Sequence, residues 1–304
     1  MAVVLQIARQ IAAVIVLWAV WAAIPSTQTF RSSTDVVRLP VVVTAKGGEP
    51  IRGLTKDDFE IREDGRPQTI QFFSEGASGD AAPLHLGLAL DTSGSMQRDL
   101  SDAMSASIRF VNAVDGSVDA TLVEFDHTVR LSRFEVASYP LMFERIRSRK
   151  AAGMTALYDA VGLYLQGAIP RDGQHVLVVY TDGGDSTSTI GYNRLVELLR
   201  LGGNVVVYTI GYLQNQSTTV RIEQQMRLRQ IADETGGSAF FPLGGREMDG
   251  IYKKIVDELG ARYTLGYAPA DRFSNRFRKI EVKMVRAGVK DVAIRARTGY
   301  YAAR

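Results

Sequence analysis

The sequence predicts an α/β fold: a doubly wound, mostly parallel sheet with helices on both faces, Rossmann-like in its layers and flanked by small β-rich segments. Two patterns predict it. Between Leu84 and about Gly260, short apolar runs alternate with amphipathic helical stretches, as a covered parallel sheet requires. Before and after that zone the pattern reverts to strands. Composition then bounds the chemistry. The 304 residues contain no cysteine, three histidines and a formal charge of +3, with 23% charged and 46% hydrophobic residues, a globular balance. Without cysteine there are no disulfides, thiolate zinc sites or iron–sulfur clusters. His85, His127 and His175 lie far apart with no HExxH or HxH spacing, which argues against a histidine-built zinc site. The near-neutral charge argues against nucleic acid as a partner. What remains is oxygen chemistry.

Residues 1–24 read as a signal peptide or membrane anchor. Ile11 to Ile24 is an unbroken apolar run behind Arg9 and ahead of Pro25-Ser26. It is short of the ~20 residues that cross a bilayer and matches the apolar core of a secretory signal, with a cut after Ala22. The alternative is an uncleaved anchor lengthened by Ala2 to Ala8. Either way the chain is expected to be exported: periplasmic, secreted or anchored to the inner membrane.

The segment 35–76 reads as strands. Val36 to Thr44 is β-branched, Lys46-Gly47-Gly48 breaks it, and Asp58 to Arg62 alternates polar and apolar. Asp64-Gly65 signals a hairpin, because a type I′ turn needs positive φ at both central positions. Ser74 to Pro83 is a linker by composition. In the zone 84–260, Leu84 to Leu90, Thr121 to Phe125, Val176 to Tyr180 and Val205 to Ile210 have the apolar character of strands buried on both faces. Leu100, Met104, Ile108 and Val111 mark one helix. Met248, Ile251, Tyr252, Ile255, Val256 and Leu259 mark the last one, stopped by Gly260. Gly236-Gly237 ends another. The segment 262–304 returns to strands at YTLGY, Lys279 to Arg286 and Val292 to Arg297. Both flanks are short for independent stability, so they are expected to pack together around an inserted α/β domain.

Ligands of open α/β sheets bind beyond the carboxyl ends of the strands. Three spots fall there: Asp91-Thr92-Ser93-Gly94-Ser95, Gly153-Met154-Thr155 opening the helix of Leu157, Val161 and Tyr164, and Thr181-Asp182-Gly183-Gly184-Asp185. They offer carboxylates and hydroxyls, hard oxygen ligands suited to Mg²⁺ or Mn²⁺, or to Ca²⁺ at longer distance. The same residue types also cap helices and shape turns without any metal. Asp185 reads as such a cap, with a water-mediated acid at the site as the alternative, Asp159 as a structural partner, and Asp126-His127 as a partly exposed loop pair.

The combination Asp-x-Ser-x-Ser, Gly-x-Thr-x-Leu-x-Asp-Ala and Thr-Asp-Gly resembles the metal-ion-dependent adhesion site of von Willebrand factor A (VWA) domains. Sixty-four residues separate Asp91 from Thr155, and twenty-seven more reach Asp182. GLTKDDFEIREDGRPQTIQFFSEG before the domain, and YTLGYAPADRFSNRFRKIEVK with RARTGYY after it, resemble exported bacterial VWFA-related proteins. The resemblance implies that Asp91, Ser93, Ser95, Thr155 and Asp182 hold a divalent ion, Mg²⁺ first. The sixth position would go to an Asp or Glu of a protein partner, or to water. Loops around Thr92, Met96, Met154 and Gly183-Gly184 would shape specificity.

The resulting expectation is an exported binding or adhesion protein, not an enzyme. The alternatives are a metal-independent envelope scaffold or assembly factor, and a metal-dependent hydrolase. Against an enzyme, Ser93 stands where a dehalogenase-type phosphotransferase needs a second Asp. No Gly-x-Ser-x-Gly elbow frames a nucleophile, and no P-loop occurs. From Asp271 onward ten Lys/Arg face three Asp/Glu. Alternation of Lys279, Glu281 and Lys283 with Ile280, Val282 and Met284 reads as the solvated face of a strand, with contact to an anionic envelope as the alternative.

Overall fold

The computed structural model describes residues 36–76, 82–269, 276–286 and 291–301. Ile11 to Ile24, Phe273 and the middle of the Ser74–Pro83 linker lie outside the described residues. Among the described residues no helix is long and apolar enough to cross a membrane.

Strands β1 (Val37–Ala45), β2 (Phe59–Glu63), β3 (Arg66–Gln68) and β4 (Phe72–Glu75) come first. Asp64 and Gly65 between β2 and β3 have φ of 49° and 79°, the positive pair that the hairpin needs. The α/β part follows in the order β5 (Leu84–Asp91), α1 (Leu100–Ala113), β6 (Ser117–Phe125), β7 (Val129–Glu135), α2 (Tyr139–Arg147), α3 (Leu157–Ala168), β8 (Gln174–Thr181), α4 (Tyr192–Leu201), β9 (Val205–Gly211), α5 (Thr218–Asp233), β10 (Ala239–Phe240) and α6 (Met248–Gly260). Strands β11 (Tyr263–Tyr267), β12 (Phe277–Met284), β13 (Val292–Ala296) and β14 (Gly299–Tyr301) close the chain.

The central sheet has the order β10-β9-β8-β5-β6-β7. Its pairings are parallel except for β6 with β7, which makes the sheet mixed. Tight antiparallel return at β7 is invisible as a buried run, because its side chains alternate between half-buried and exposed. The helices divide between two faces. Leu86, Leu88 and Leu90 of β5 point into a core with Phe110, Met248, Tyr252 and Ile255. Ala89, Leu177 and Val179 point into the opposite core with Leu157, Val161, Leu165 and Leu199. Apolar side chains on both sides of β5 and β8 are therefore what hold the layers, as continuous apolar runs imply.

The two ends of the chain build two further sheets, β13-β1-β11-β4 and β14-β12-β2-β3, both antiparallel. They share a third core of Leu39, Val41, Val43, Phe59, Ile61, Leu265, Tyr267 and Ile280. On β12, Lys279 and Lys283 are exposed and ion-paired to Glu281, whereas Ile280 is buried, so this strand presents a solvated charged face. Other cations of the basic segment point inward. Arg278 is buried against Glu63 at 2.6 Å, and Arg297 is buried with its guanidinium donating to the carbonyls of Gly299 and Arg200. Burial depresses Arg297 to about 10.

Candidate metal centre

Strand β5 delivers Asp91 to its carboxyl end, where the side chain is fully buried. One carboxylate oxygen accepts the Ser93 N–H at 2.9 Å, and the other accepts the Thr181 hydroxyl at 2.6 Å. Thr181 closes β8, so this second bond ties the first loop to the third. Ser93 and Ser95 lie in the turn after β5, and their hydroxyls are 3.1 Å apart. The Ser93 side chain makes no capping bond to the Gly94–Arg98 turn, so its hydroxyl does not perform the capping role that would account for it without an ion.

The middle loop is stitched to the first by backbone bonds. Ala152 N–H donates to the Thr92 carbonyl at 2.9 Å, and Gly94 N–H donates to the Gly153 carbonyl at 3.0 Å. Gly153 has φ of +79°, and a Cβ there would meet the His127 ring at 2.9 Å, so both backbone and space require glycine. Thr155 follows, buried, with its N–H donating to the Ser186 hydroxyl at 3.0 Å. The third loop is also fixed locally. Asp182 is buried; its Oδ1 accepts the Gly184 N–H at 3.4 Å and its Oδ2 accepts the Gln216 amide at 3.2 Å. Gly183 has φ of +83°, and a Cβ would press on Gln224 at 2.8 Å.

The loops thus bring Asp91, Ser93, Ser95, Thr155 and Asp182 to one edge of the sheet. Other residues singled out in the sequence serve the scaffold. Asp185 accepts the Tyr158 N–H in the first turn of α3, and Asp159 accepts the N–H groups of Thr189 and Ile190. Asp126 accepts from Thr128 N–H and Arg130, beside an exposed His127. His85 and His175 stack 4.6 Å apart in register at the opposite ends of β5 and β8. Within the loops expected to shape specificity, the side chains of Thr92 and Met96 are buried, whereas Met154 is 56% exposed. Thr92 instead donates its hydroxyl to the Phe125 carbonyl, and Met96 joins the core beneath α1.

The electrostatics set this place apart. Seven carboxylates are buried among the described residues: Glu63, Asp91, Asp119, Glu124, Asp182, Glu234 and Glu258. Five of them face cations: Glu63 with Arg278, Asp119 with Arg133 and Arg171, Glu124 with Arg145 and Arg149, Glu234 with Arg200, and Glu258 with Arg295. Asp91 and Asp182 have only hydroxyl and amide donors. Burial therefore raises the Asp91 carboxyl to about 7, against the pull of Ser93 and Thr181, and the charge of Asp182 adds to the rise. Asp119 goes the other way. Its burial is outweighed by hydrogen bonds from Arg171 and His85, which hold it below the ordinary carboxylate value.

Two neighbouring carboxyl groups out of water, with hydroxyls alongside and no basic side chain among the described residues, form a hard-oxygen donor set lacking a positive charge. The residues present fit a divalent cation. No group of three or more His, Asp or Glu capable of holding a metal exists among the described residues, so such an ion would need the hydroxyls. Gln216, which orients Asp182, was not distinguishable in the sequence because it lies in a polar loop; Thr181, which orients Asp91, stands in the third strand-end spot, but the sequence does not show which acid it reaches.

The von Willebrand factor type A domain profile matches residues 85–247, more than half of the chain. The protein belongs to the VWA family, whose domains mediate protein–protein interactions. Among solved structures it is similar to a von Willebrand factor type A protein from Catenulispora acidiphila, at 14% identity over 81% of this chain and 72% of that one, with a TM-score of 0.49. It is also similar to the vWF domain of the type V pili tip protein Mfa5 from Porphyromonas gingivalis, at 11% identity over 58% and 96% of the two chains, TM-score 0.46. A third similar structure is proximal thread matrix protein 1 from the mussel byssus with a zinc-occupied MIDAS motif, at 18% identity over 62% and 48%, TM-score 0.46. No curated protein matches the sequence significantly.

Proposed function

We propose that the chain is an exported binding protein that uses a divalent cation, Mg²⁺ or Mn²⁺, to capture an acidic residue of a protein partner. Asp91, Ser93, Ser95, Thr155 and Asp182 would hold the ion. The observation that carries this reading is the pair Asp91 and Asp182, both buried and near enough to repel, with no Lys or Arg partner among the described residues although the other buried acids described have one. Three of the five donors are neutral hydroxyls, so a bound ion keeps attraction for a further anion. A carboxylate from a partner is the group that completes such a set. Export rests on the apolar run Ile11 to Ile24 behind Arg9.

The reading is of binding and not of catalysis. Ser93 and Ser95 pair with each other, and neither hydroxyl is hydrogen-bonded to a histidine that could act as its base. The test is calorimetric. Wild-type protein is expected to bind Mg²⁺ or Mn²⁺, and Asp182→Ala to lose that binding together with capture of an Asp- or Glu-bearing partner. Capture that survives both the substitution and a chelator would contradict the reading and favour a metal-independent scaffold.

A further inference from the structure

The loop after β9 carries three consecutive amides, Gln214, Asn215 and Gln216, and each is tied to a different element. Gln214 donates to the Pro242 carbonyl at 2.6 Å. Asn215 donates to the Asp99 carboxylate and accepts from Arg98, both at 3.2 Å, at the entrance to α1. Gln216 donates to Asp182 Oδ2 at 3.2 Å, and its own N–H is fixed by the Leu213 carbonyl. Of the three, only Gln216 reaches a proposed ligand.

The consequence lies in the number of lone pairs left free. Each candidate carboxylate has both oxygens engaged: Asp91 by Ser93 N–H and Thr181, Asp182 by Gly184 N–H and Gln216. The bond to Gly184 is long at 3.4 Å, so Oδ1 is the freer oxygen of Asp182. A donor on one oxygen takes one of its two lone pairs and fixes the direction of the other, so a single-oxygen contact through the freer oxygen is favoured over a two-oxygen grip. Ca²⁺ takes 6–8 oxygens and readily uses bidentate carboxylates, whereas Mg²⁺ takes six single donors.

Building on the metal reading, we propose that Gln216 is a positioning residue that disfavours a two-oxygen grip by Asp182, and so sharpens the discrimination of the site against Ca²⁺. The amide suits this task because it is neutral: it fixes the carboxylate without cancelling the charge that attracts the ion. A lysine at the same place would orient Asp182 equally well but would compete with the cation.

The experiment is a pair of titrations, Mg²⁺ and Ca²⁺, on the full chain followed by calorimetry. In the wild type Mg²⁺ is expected to bind more tightly than Ca²⁺. Gln216→Met keeps the volume and removes the donor; it should narrow the Mg²⁺/Ca²⁺ ratio about tenfold, the size of effect that outer partners of metal ligands have. Asn215→Ala loosens the same loop without touching Asp182, and should leave the ratio within about twofold. An unchanged ratio in Gln216→Met, or an equal change in Asn215→Ala, would overturn the role of Gln216 while leaving the metal reading intact. Wild-type protein that binds neither ion would overturn the metal reading and this inference with it.

Discussion

The strand ends of the central sheet and the junction between that sheet and the flanking strands both bury carboxylates, and they neutralise them in opposite ways. At the junction, Glu258 contacts Arg295 at 2.5 Å and accepts the Tyr208 hydroxyl, while Glu234 meets Arg200 through two bonds of 2.9 Å. Inside the outer sheets, Glu63 takes Arg278 together with the hydroxyls of Tyr267 and Tyr300. These acids are complete within the chain. At the strand ends, Asp91 and Asp182 are held in place by neutral donors and have no cation partner among the described residues. Burial alone does not separate the two groups; the missing cation does, and it is the ground of the proposed metal role of Asp91 and Asp182. The chain has arginines enough to supply one, so its absence at this edge is a local property of the fold.

The comparison is broken most strongly on the complete side. Arg278→Met should cost about 3–5 kcal/mol of stability by chemical denaturation, because Glu63 would remain buried beside two tyrosines without its cation. A loss under about 1 kcal/mol would show that the pair is not what keeps Glu63 inside.

A second test uses pH at the far end of the same strands. His175 is buried, and its burial, together with the charges of His85 and Arg171, depresses it from 6.5 to about 4. As pH falls through that window the unfolded chain takes up a proton that the folded chain refuses. Stability should therefore fall by roughly 3 kcal/mol between pH 6.5 and 4 from this group. His175→Gln should flatten that limb of the denaturation profile; an unchanged limb would assign it to other groups. The smallest effect is expected on the solvated face. Lys283→Ala removes an exposed, 3.8 Å contact to Glu281 and should change stability by less than about 0.5 kcal/mol.

Much of this contrast was legible in the sequence on one side only. Apolar runs such as Leu84–Leu90 and Val176–Tyr180 mark strands because burial on both faces leaves no polar period, and each places an acid or hydroxyl at its end. The strand-end loops follow from that placement, whereas the set of five candidate donors rests on the resemblance of Asp-x-Ser-x-Ser, Gly-x-Thr and Thr-Asp-Gly to the VWA site. Strand β7 escaped, since its side chains alternate only between half-buried and exposed and form no apolar run. The junction escaped too. Arg278 and Lys279 are neighbours in a basic segment, yet one is buried against an acid more than two hundred residues away and the other is exposed. Nothing local separates them, because long-range pairing decides which cation turns inward. For the same reason Gln216 was not visible: an amide in a polar loop shows its role only through the carboxylate it reaches.

The central claim is that Asp91 is buried for a cation that the protein does not itself provide. Raised by burial to about 7, its carboxyl makes the ion-free fold lose stability as pH rises from the ordinary carboxylate range through that value. Denaturation of wild type and Asp91→Asn at pH 8, with and without Mg²⁺, measures this directly. The account predicts that Asp91→Asn is at least as stable as wild type without the ion, and that Mg²⁺ stabilises the wild type but not the variant. A variant that is markedly less stable than ion-free wild type, or that Mg²⁺ stabilises equally, would contradict it.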